Sequence, residues 1–227
     1  MQRKGQNVVC KLMKKISTLQ FITASSDPEQ HLLQLKRLCQ AGVDWIQLRL
    51  KNANPVTRRR IAQRAKLITK QFSTRLILND YVALAKEIGV DGVHLGQNDM
   101  PISKARIILG DNSIIGGTAN TWPDMVSLQR AGADYIGLGP LRFTSTKRNL
   151  NPILGLEGYQ TLMDKMKTQQ IAIPVLAIGG VTKDDLTPLK KMGVHGVAIS
   201  SYLLKMDRSA QKKAVSFIQQ LFSNVSA

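Results

Sequence analysis

Acidic residues are few in this chain: 15 Asp and Glu stand against 32 Lys and Arg, a formal net charge of +17 at pH 7. Aromatics are scarce too, at 5%, and no basic segment is interleaved with them as stacking on single-stranded nucleic acid requires. The densest basic run, Arg58-Arg59-Arg60 with Arg64, Lys66 and Lys70, shares a helix with Ile61, Ala65, Leu67, Ile68 and Phe72. It reads as a solvated outer helix face, so nucleic acid is not an expected partner. The excess charge serves instead to attract small anions. No run approaches the roughly 20 apolar residues of a membrane span, so no membrane is expected. The basic start has no apolar stretch longer than Val8-Val9-Cys10, which argues against a secretory signal. Two cysteines, Cys10 and Cys39, form neither CxxC nor a ligand spacing and fit a reducing cytoplasm. No GxGxxG opens a helix, which removes support for a dinucleotide site.

What is present is a phrase that returns. Ala41-Gly42-Val43-Asp44-Trp45-Ile46-Gln47-Leu48 is echoed by Gly89-Val90-Asp91-Gly92-Val93-His94-Leu95, by Ala131-Gly132-Ala133-Asp134-Tyr135-Ile136-Gly137-Leu138 and by Gly193-Val194-His195-Gly196-Val197-Ala198-Ile199. In each, a glycine stops a helix and a short apolar run starts a strand. The spacing leaves room for further strands at 19–23, 75–79, 113–116 and 173–179. Their continuous apolarity, as in Val175-Leu176-Ala177-Ile178, suits parallel strands covered on both faces. Helix starts are signalled at Ser26-Asp27-Pro28, Asn54-Pro55, Met100-Pro101, Thr121-Trp122-Pro123 and Thr182-Lys183-Asp184. Eight strand–helix units in 227 residues predict an α/β fold, a single (β/α)8 TIM barrel over 16–227. Residues 1–15 are expected to be a disordered basic extension, with Met13 as an alternative start.

In such a barrel, chemistry sits at the C-terminal ends of the strands. The second strand ends in Gln47-Leu48-Arg49-Leu50-Lys51, and alternation puts Gln47, Arg49 and Lys51 on one side. The third ends in Asn79-Asp80 and the fourth runs into Gln97-Asn98-Asp99. The fifth ends in Gly116-Gly117-Thr118, and the sixth in Gly139-Pro140 and a loop carrying Thr144, Ser145, Thr146 and Lys147. Gly179-Gly180 and Ser200-Ser201 finish the last two. Small residues let a backbone approach a ligand, hydroxyls donate, and Lys adds a point charge for phosphate. Asp80 and Asp99 taken singly read as helix caps. Taken together, beside Lys51 and Lys147, they read as a Mg²⁺–diphosphate site. Gly180 with Ser200-Ser201 forms the second anion site, the phosphate cup common in this fold. His94 reads as a structural imidazole, and His31 as part of a surface helix. His195 lies at the barrel end away from chemistry.

From about Leu19 to Leu204 the chain resembles the thiamine-phosphate synthase family. The resemblance is carried by QLRLK at 47–51, ND at 79–80, DGVHLGQNDMP at 91–101, GGTANT at 116–121, ADYIGLGP with TSTK at 133–147, AIGG at 177–180 and GVAISS at 196–201. It implies a cytoplasmic transferase of thiamine biosynthesis. Such an enzyme joins an aminopyrimidine diphosphate to hydroxyethylthiazole phosphate, releasing diphosphate and giving thiamine phosphate. It further implies that the 47–51 segment, including Leu48 and Leu50, holds the pyrimidine diphosphate together with Asn79, Thr118 and Lys147. Arg49, Lys51 and Lys147 would be its catalytic cations, and Asp80 and Asp99 would hold one Mg²⁺. Thr144, Ser145, Thr146, Gly180, Ser200 and Ser201 would receive the thiazole phosphate. The partners implied are phosphorylated small molecules, and a homo-oligomer is compatible with them.

The chain departs from the family pattern at Leu50 (usually Glu), Tyr81 (Arg), Arg142-Phe143 (an aromatic and Pro), Asn120 (often His) and Ser200 (Val or Ile). None of these removes an expected metal ligand or Lys147. A related thiazole tautomerase would share the barrel and thiazole-phosphate cup but have no need of Asp80, Asp99 and the QLRLK cluster together. A phosphate-ligand sensor would need no Mg²⁺.

Overall fold

Strand formation follows from short apolar runs closed off by glycine. In the computed structural model, which describes residues 14–144 and 151–223, these runs become β1 (Leu19–Ile22), β2 (Trp45–Leu48), β3 (Arg75–Asn79), β4 (Gly92–Leu95), β5 (Ile114–Ala119), β6 (Tyr135–Leu138), β7 (Val175–Ile178) and β8 (Gly196–Ile199). All neighbours pair in parallel, and β8 pairs back with β1 (Leu19 with Val197, Phe21 with Ile199), closing the barrel in sequence order. Strands of four to six residues carry almost no exposed position, as expected of a sheet covered on both faces.

The outer layer comprises α1 (Pro28–Gln40), α2 (Pro55–Gln71), α3 (Val82–Ile88), α4 (Ile102–Leu109), α5 (Trp122–Arg130), α6 (Gly155–Thr168) and α7 (Lys183–Lys191), followed by the one-turn α8 (Ser201–Leu204) and α9 (Arg208–Ser223). Asp27 caps α1 and Asn54 caps α2, each accepting from a main-chain N–H (3.0 and 2.8 Å). Thr121 and Asp124 form a reciprocal capping box on α5. Gly89 ends α3 at φ 68°, a conformation that a side chain disfavours. The eighth unit is completed after β8 by α9, which occupies the eighth outer position, packed against α1 and α7. Buried Gln211 anchors it, accepting from Arg37 Nε (2.6 Å) and donating to Leu203 O (2.8 Å).

Alternation along each strand sorts the side chains. Outward-pointing Leu48, Leu76, Leu78, Val93 and Ile115 join the apolar layer beneath the helices. Inward-pointing Ile22, Trp45, Ile77, Ile114, Tyr135 and Leu176 fill the barrel, with Trp45 edge-on to Tyr135 at 4.8 Å between ring centroids. At the N-terminal end of the strands Lys14 ion-pairs with Asp134 (2.9 Å), which also takes Arg106 (2.6 Å). The barrel's contacts thus begin within the segment assigned by sequence to the extension. Residues 1–13 lie outside the described part. Among the described residues no helix is long and apolar enough to cross a membrane.

Candidate active site at the strand C-terminal ends

The barrel is plugged by side chains below and opens above into a cavity of about 370 Å³. Gln47, Arg49, Lys51, Asn79, Asp80, Asp99 and Thr118 line one part of it, while Thr144, Gly180, Ser200 and Ser201 line another. Eleven of the sixteen positions expected from the sequence therefore share one cavity. Leu48 and Leu50 do not: both side chains are buried in the outer apolar layer, as alternation about Gln47, Arg49 and Lys51 demands. Their expected part in binding is limited to main chain. Ser145, Thr146 and Lys147 lie outside the described residues.

On the β2–β4 side, charges of both signs converge. Lys51 Nζ meets Asp80 Oδ2 at 2.7 Å, and Gln47 Nε2 donates to Asn79 Oδ1 at 2.7 Å. Gln47 Oε1 is buried with no hydrogen-bond partner among the described residues, an acceptor available to a ligand. Asp80 sits at φ 69°, a left-handed conformation that costs energy outside glycine and clusters at functional sites. Its carboxyl lies near enough to that of Asp99 for the two to influence one another's ionisation. Asp99 Oδ2 accepts from Gly96 N (2.6 Å). Neither carboxylate caps a helix: the N-cap of α3 is Tyr81 and that of α4 is Pro101, both without a side-chain cap hydrogen bond. The cap alternative thus falls away, and the two acids face one another.

Two carboxylates in contact cannot both hold a full negative charge cheaply. Burial, followed by the neighbouring Asp80 carboxyl, pushes Asp99 above the usual carboxylate range. Asp80 is held below that range: burial opposes this but is outweighed by the neighbouring Asp99 and by Lys51. Burial also lowers the Arg49 guanidinium from its ordinary value, with the Asp80 charge opposing. Among the described residues no cluster of three or more His, Cys, Asp or Glu could hold a metal. The pair alone suits a hard divalent cation whose remaining ligands are water and phosphate oxygens.

On the other side, the β6–α6 loop is strapped to the end of β7. Leu141 N donates to Ile178 O (2.9 Å) and Arg142 N to Gly179 O (3.0 Å). The Arg142 guanidinium reaches the buried carboxylate of Asp185 (2.7 Å), which also accepts from Thr182 N and Oγ1 (both 2.9 Å). Ser200 Oγ is buried without a partner among the described residues.

Two of the departures from the family pattern have local partners. Tyr81 lies under the Arg58 guanidinium, 3.6 Å from ring centroid to Cζ, and Asn120 donates to Gly139 O (3.1 Å) and Pro152 O (2.9 Å). Arg58 is thereby set apart from Arg59, Arg60 and Arg64, which pair with Glu87 and Glu29 on an exposed face.

Other positions differ from their sequence reading. His31 is buried, not superficial: α1 begins against the end of β1, so Nδ1 meets Thr23 Oγ1 (2.7 Å) and Nε2 meets Ser25 O (3.1 Å). Thr23 Oγ1 in turn accepts from Arg49 N (3.0 Å), an arrangement that no sequence motif announces. Gly116 and Gly137 serve protein packing rather than ligand approach. A β-carbon at Gly116 would lie 2.1 Å from the Tyr135 ring, and one at Gly137 would lie 2.9 Å from His94 Cε1. His94 is a hydrogen-bonded imidazole, as expected, but it also lines the cavity.

Comparison with known proteins shows the family. A family model described as thiamine monophosphate synthase matches residues 19–203. The chain belongs to the thiamine monophosphate synthase family. The thiamine-phosphate synthase of Bacteroides thetaiotaomicron is 47% identical over 193 residues, covering 85% of this chain and 92% of that protein. That of Flavobacterium johnsoniae is 44% identical, covering 89% and 93%. Among solved structures, a thiamine phosphate pyrophosphorylase from Pyrococcus furiosus is similar at a TM-score of 0.76 and 28% identity, covering 92% of this chain and 97% of that one. The family's model begins at β1 and ends in α8, so it spans all eight strands and the cavity above them.

Proposed function

We propose that this chain joins an aminopyrimidine diphosphate to hydroxyethylthiazole phosphate, giving thiamine phosphate and free diphosphate. The observation that carries this reading is the meeting, in one cavity, of an acid–base cluster (Arg49, Lys51, Asp80, Asp99) with a separate glycine–serine rim at Gly180 and Ser200-Ser201. One receives the leaving diphosphate and the other the acceptor's phosphate. The electron-rich aminopyrimidine can sustain a methylene carbocation as the carbon–oxygen bond breaks, and the thiazole nitrogen then captures that carbon. No general base is required, which accords with a cavity that offers cations and carboxylates.

The protein's task is to neutralise the departing diphosphate and hold the acceptor beside it. Arg49 and Lys51 supply fixed positive charge at the leaving oxygens. Gln47 and Asn79 orient the pyrimidine diphosphate, and Thr118 donates to it. Thr144, Gly180, Ser200 and Ser201 anchor the thiazole phosphate so that its nitrogen faces the methylene carbon. Asp80 and Asp99 would hold Mg²⁺, which when bound supplies charge to the diphosphate oxygens. Purified protein given both substrates should release thiamine phosphate and diphosphate in equal amounts. A folded protein that binds thiazole phosphate yet forms no product would overturn the reading.

A further inference from the structure

A second polar system runs through the barrel beneath the cavity, reaching Thr118 through three residues to which the proposed reaction gives no part. Gln20 of β1 and Tyr135 of β6 are fully buried, and His94 of β4 nearly so. Gln20 Nε2 donates to the Tyr135 hydroxyl at 3.1 Å. That hydroxyl meets His94 Nδ1 at 2.9 Å, and His94 Nε2 meets Thr118 Oγ1 at 2.9 Å. Thr118 lines the cavity. Four side chains from four strands thus form one continuous line from barrel interior to cavity wall. The sheet makes room for it: Gly116 clears the Tyr135 ring and Gly137 clears the imidazole.

The line has a direction. An amide nitrogen only donates, so the Tyr135 oxygen accepts from Gln20 and keeps one hydrogen to give. His94 Nδ1 takes it, which puts the ring hydrogen of neutral His94 on Nε2. Nε2–H donates to Thr118 Oγ1, and the Thr118 hydrogen is left to point into the cavity. A His94 carrying hydrogen on both nitrogens would strand the buried Tyr135 hydrogen without an acceptor among the four. That is a costly arrangement in a dry interior.

We infer that Gln20, Tyr135 and His94 are positioning residues that fix the Thr118 hydroxyl as a hydrogen-bond donor toward the ligand. The acceptor is an electron-pair-bearing atom of the phosphorylated pyrimidine, an assignment that rests on the function proposed above; the relay's direction does not. A donor whose direction is set in advance needs no reorganisation as charge develops on the departing group. It also selects against ligands that present a donor at this point.

Imidazole nitrogen–proton NMR on the full-length protein reads the direction itself, independently of turnover. The chain has three histidines, and the His94 signal is the one missing from His94→Gln. The expected result is a neutral ring with hydrogen on Nε2; hydrogen on Nδ1 overturns the proposal. Tyr135→Phe keeps the packed ring and removes only the hydroxyl. It should lose the fixed tautomer and lower kcat by about 10-fold, the scale of one well-placed hydrogen bond, with KM for thiazole phosphate unchanged. Adding Thr118→Val to Tyr135→Phe should then cost less than it does in the wild type. An unaltered His94 signal and unaltered kcat in Tyr135→Phe would also overturn it. If the protein makes no thiamine phosphate, the NMR result still decides the relay.

Discussion

At the residue scale, the site is a matter of which charges are permitted to meet. Asp80 adopts a left-handed conformation (φ 69°), which Asn tolerates nearly as well. Asp80→Asn is therefore expected to fold with little change in Tm while losing about 10²-fold in turnover, the scale of removing one preorganised electrostatic group. Wild-type turnover in that variant would remove Asp80 from the mechanism. His31 yields a prediction in pH. Burial, its largest cause, lowers the imidazole's pKa from 6.5 in the folded protein. The unfolded chain then binds the extra proton, so this contribution to stability is full above about pH 6.5 and is lost as pH falls below it toward the folded value. His31→Asn should flatten the decline in Tm as pH falls below about 6.5, and an equally steep decline would dismiss the assignment. The placement of Gln47, Arg49 and Lys51 at the cavity was legible because strand alternation alone separates them from Leu48 and Leu50. The burial of His31 was not, because it depends on where α1 docks.

At the element scale, loops hold the charged pairs in register. Arg58, on the first turns of α2, stacks on Tyr81 and donates through Nη2 to Ala53 O. It thereby ties the β2–α2 loop that carries Lys51 to the β3–α3 turn that carries Asp80. Arg58→Ala should leave Tm nearly unchanged and raise KM for the pyrimidine diphosphate by about 10-fold, on the scale of a cation–π contact plus a charged hydrogen bond. Arg58→Lys should rescue it only in part, since an ammonium lacks the planar fork. Unchanged KM in Arg58→Ala would reduce the contact to surface packing. In the sequence Arg58 is indistinguishable from its neighbours Arg59 and Arg60, because a long side chain chooses its partner only once the folded surface exists. The strands were readable for the opposite reason: parallel strands covered on both faces must be short, apolar and punctuated by glycine. Helix α9 left less trace, because the one-turn α8 separates its amphipathic segment from the last repeated phrase.

At the scale of the whole molecule, closure and net charge matter most. The barrel closes where β8 meets β1, and a β-carbon at Gly196 would lie 2.1 Å from Thr18 O. Gly196→Ala must part the seam and should cost about 3 kcal/mol or more in a denaturant titration; a variant as stable as the wild type would show the seam to be yielding. The net charge of +17 should raise the encounter rate with anionic substrates. kcat/KM is expected to fall several-fold as salt screens that field at fixed Mg²⁺, whereas a salt-independent kcat/KM would leave the field without a role. The central claim is that the strand-end cluster activates a diphosphate leaving group with help from a divalent cation. It is tested most directly by the initial rate of thiamine phosphate formation against Mg²⁺ concentration, measured side by side for the wild type and Asp80→Asn. The account predicts a saturable, Mg²⁺-dependent rate for the wild type, abolished by chelation and lowered about 10²-fold in the variant. Equal rates for the two proteins, or full activity in chelator, would contradict it.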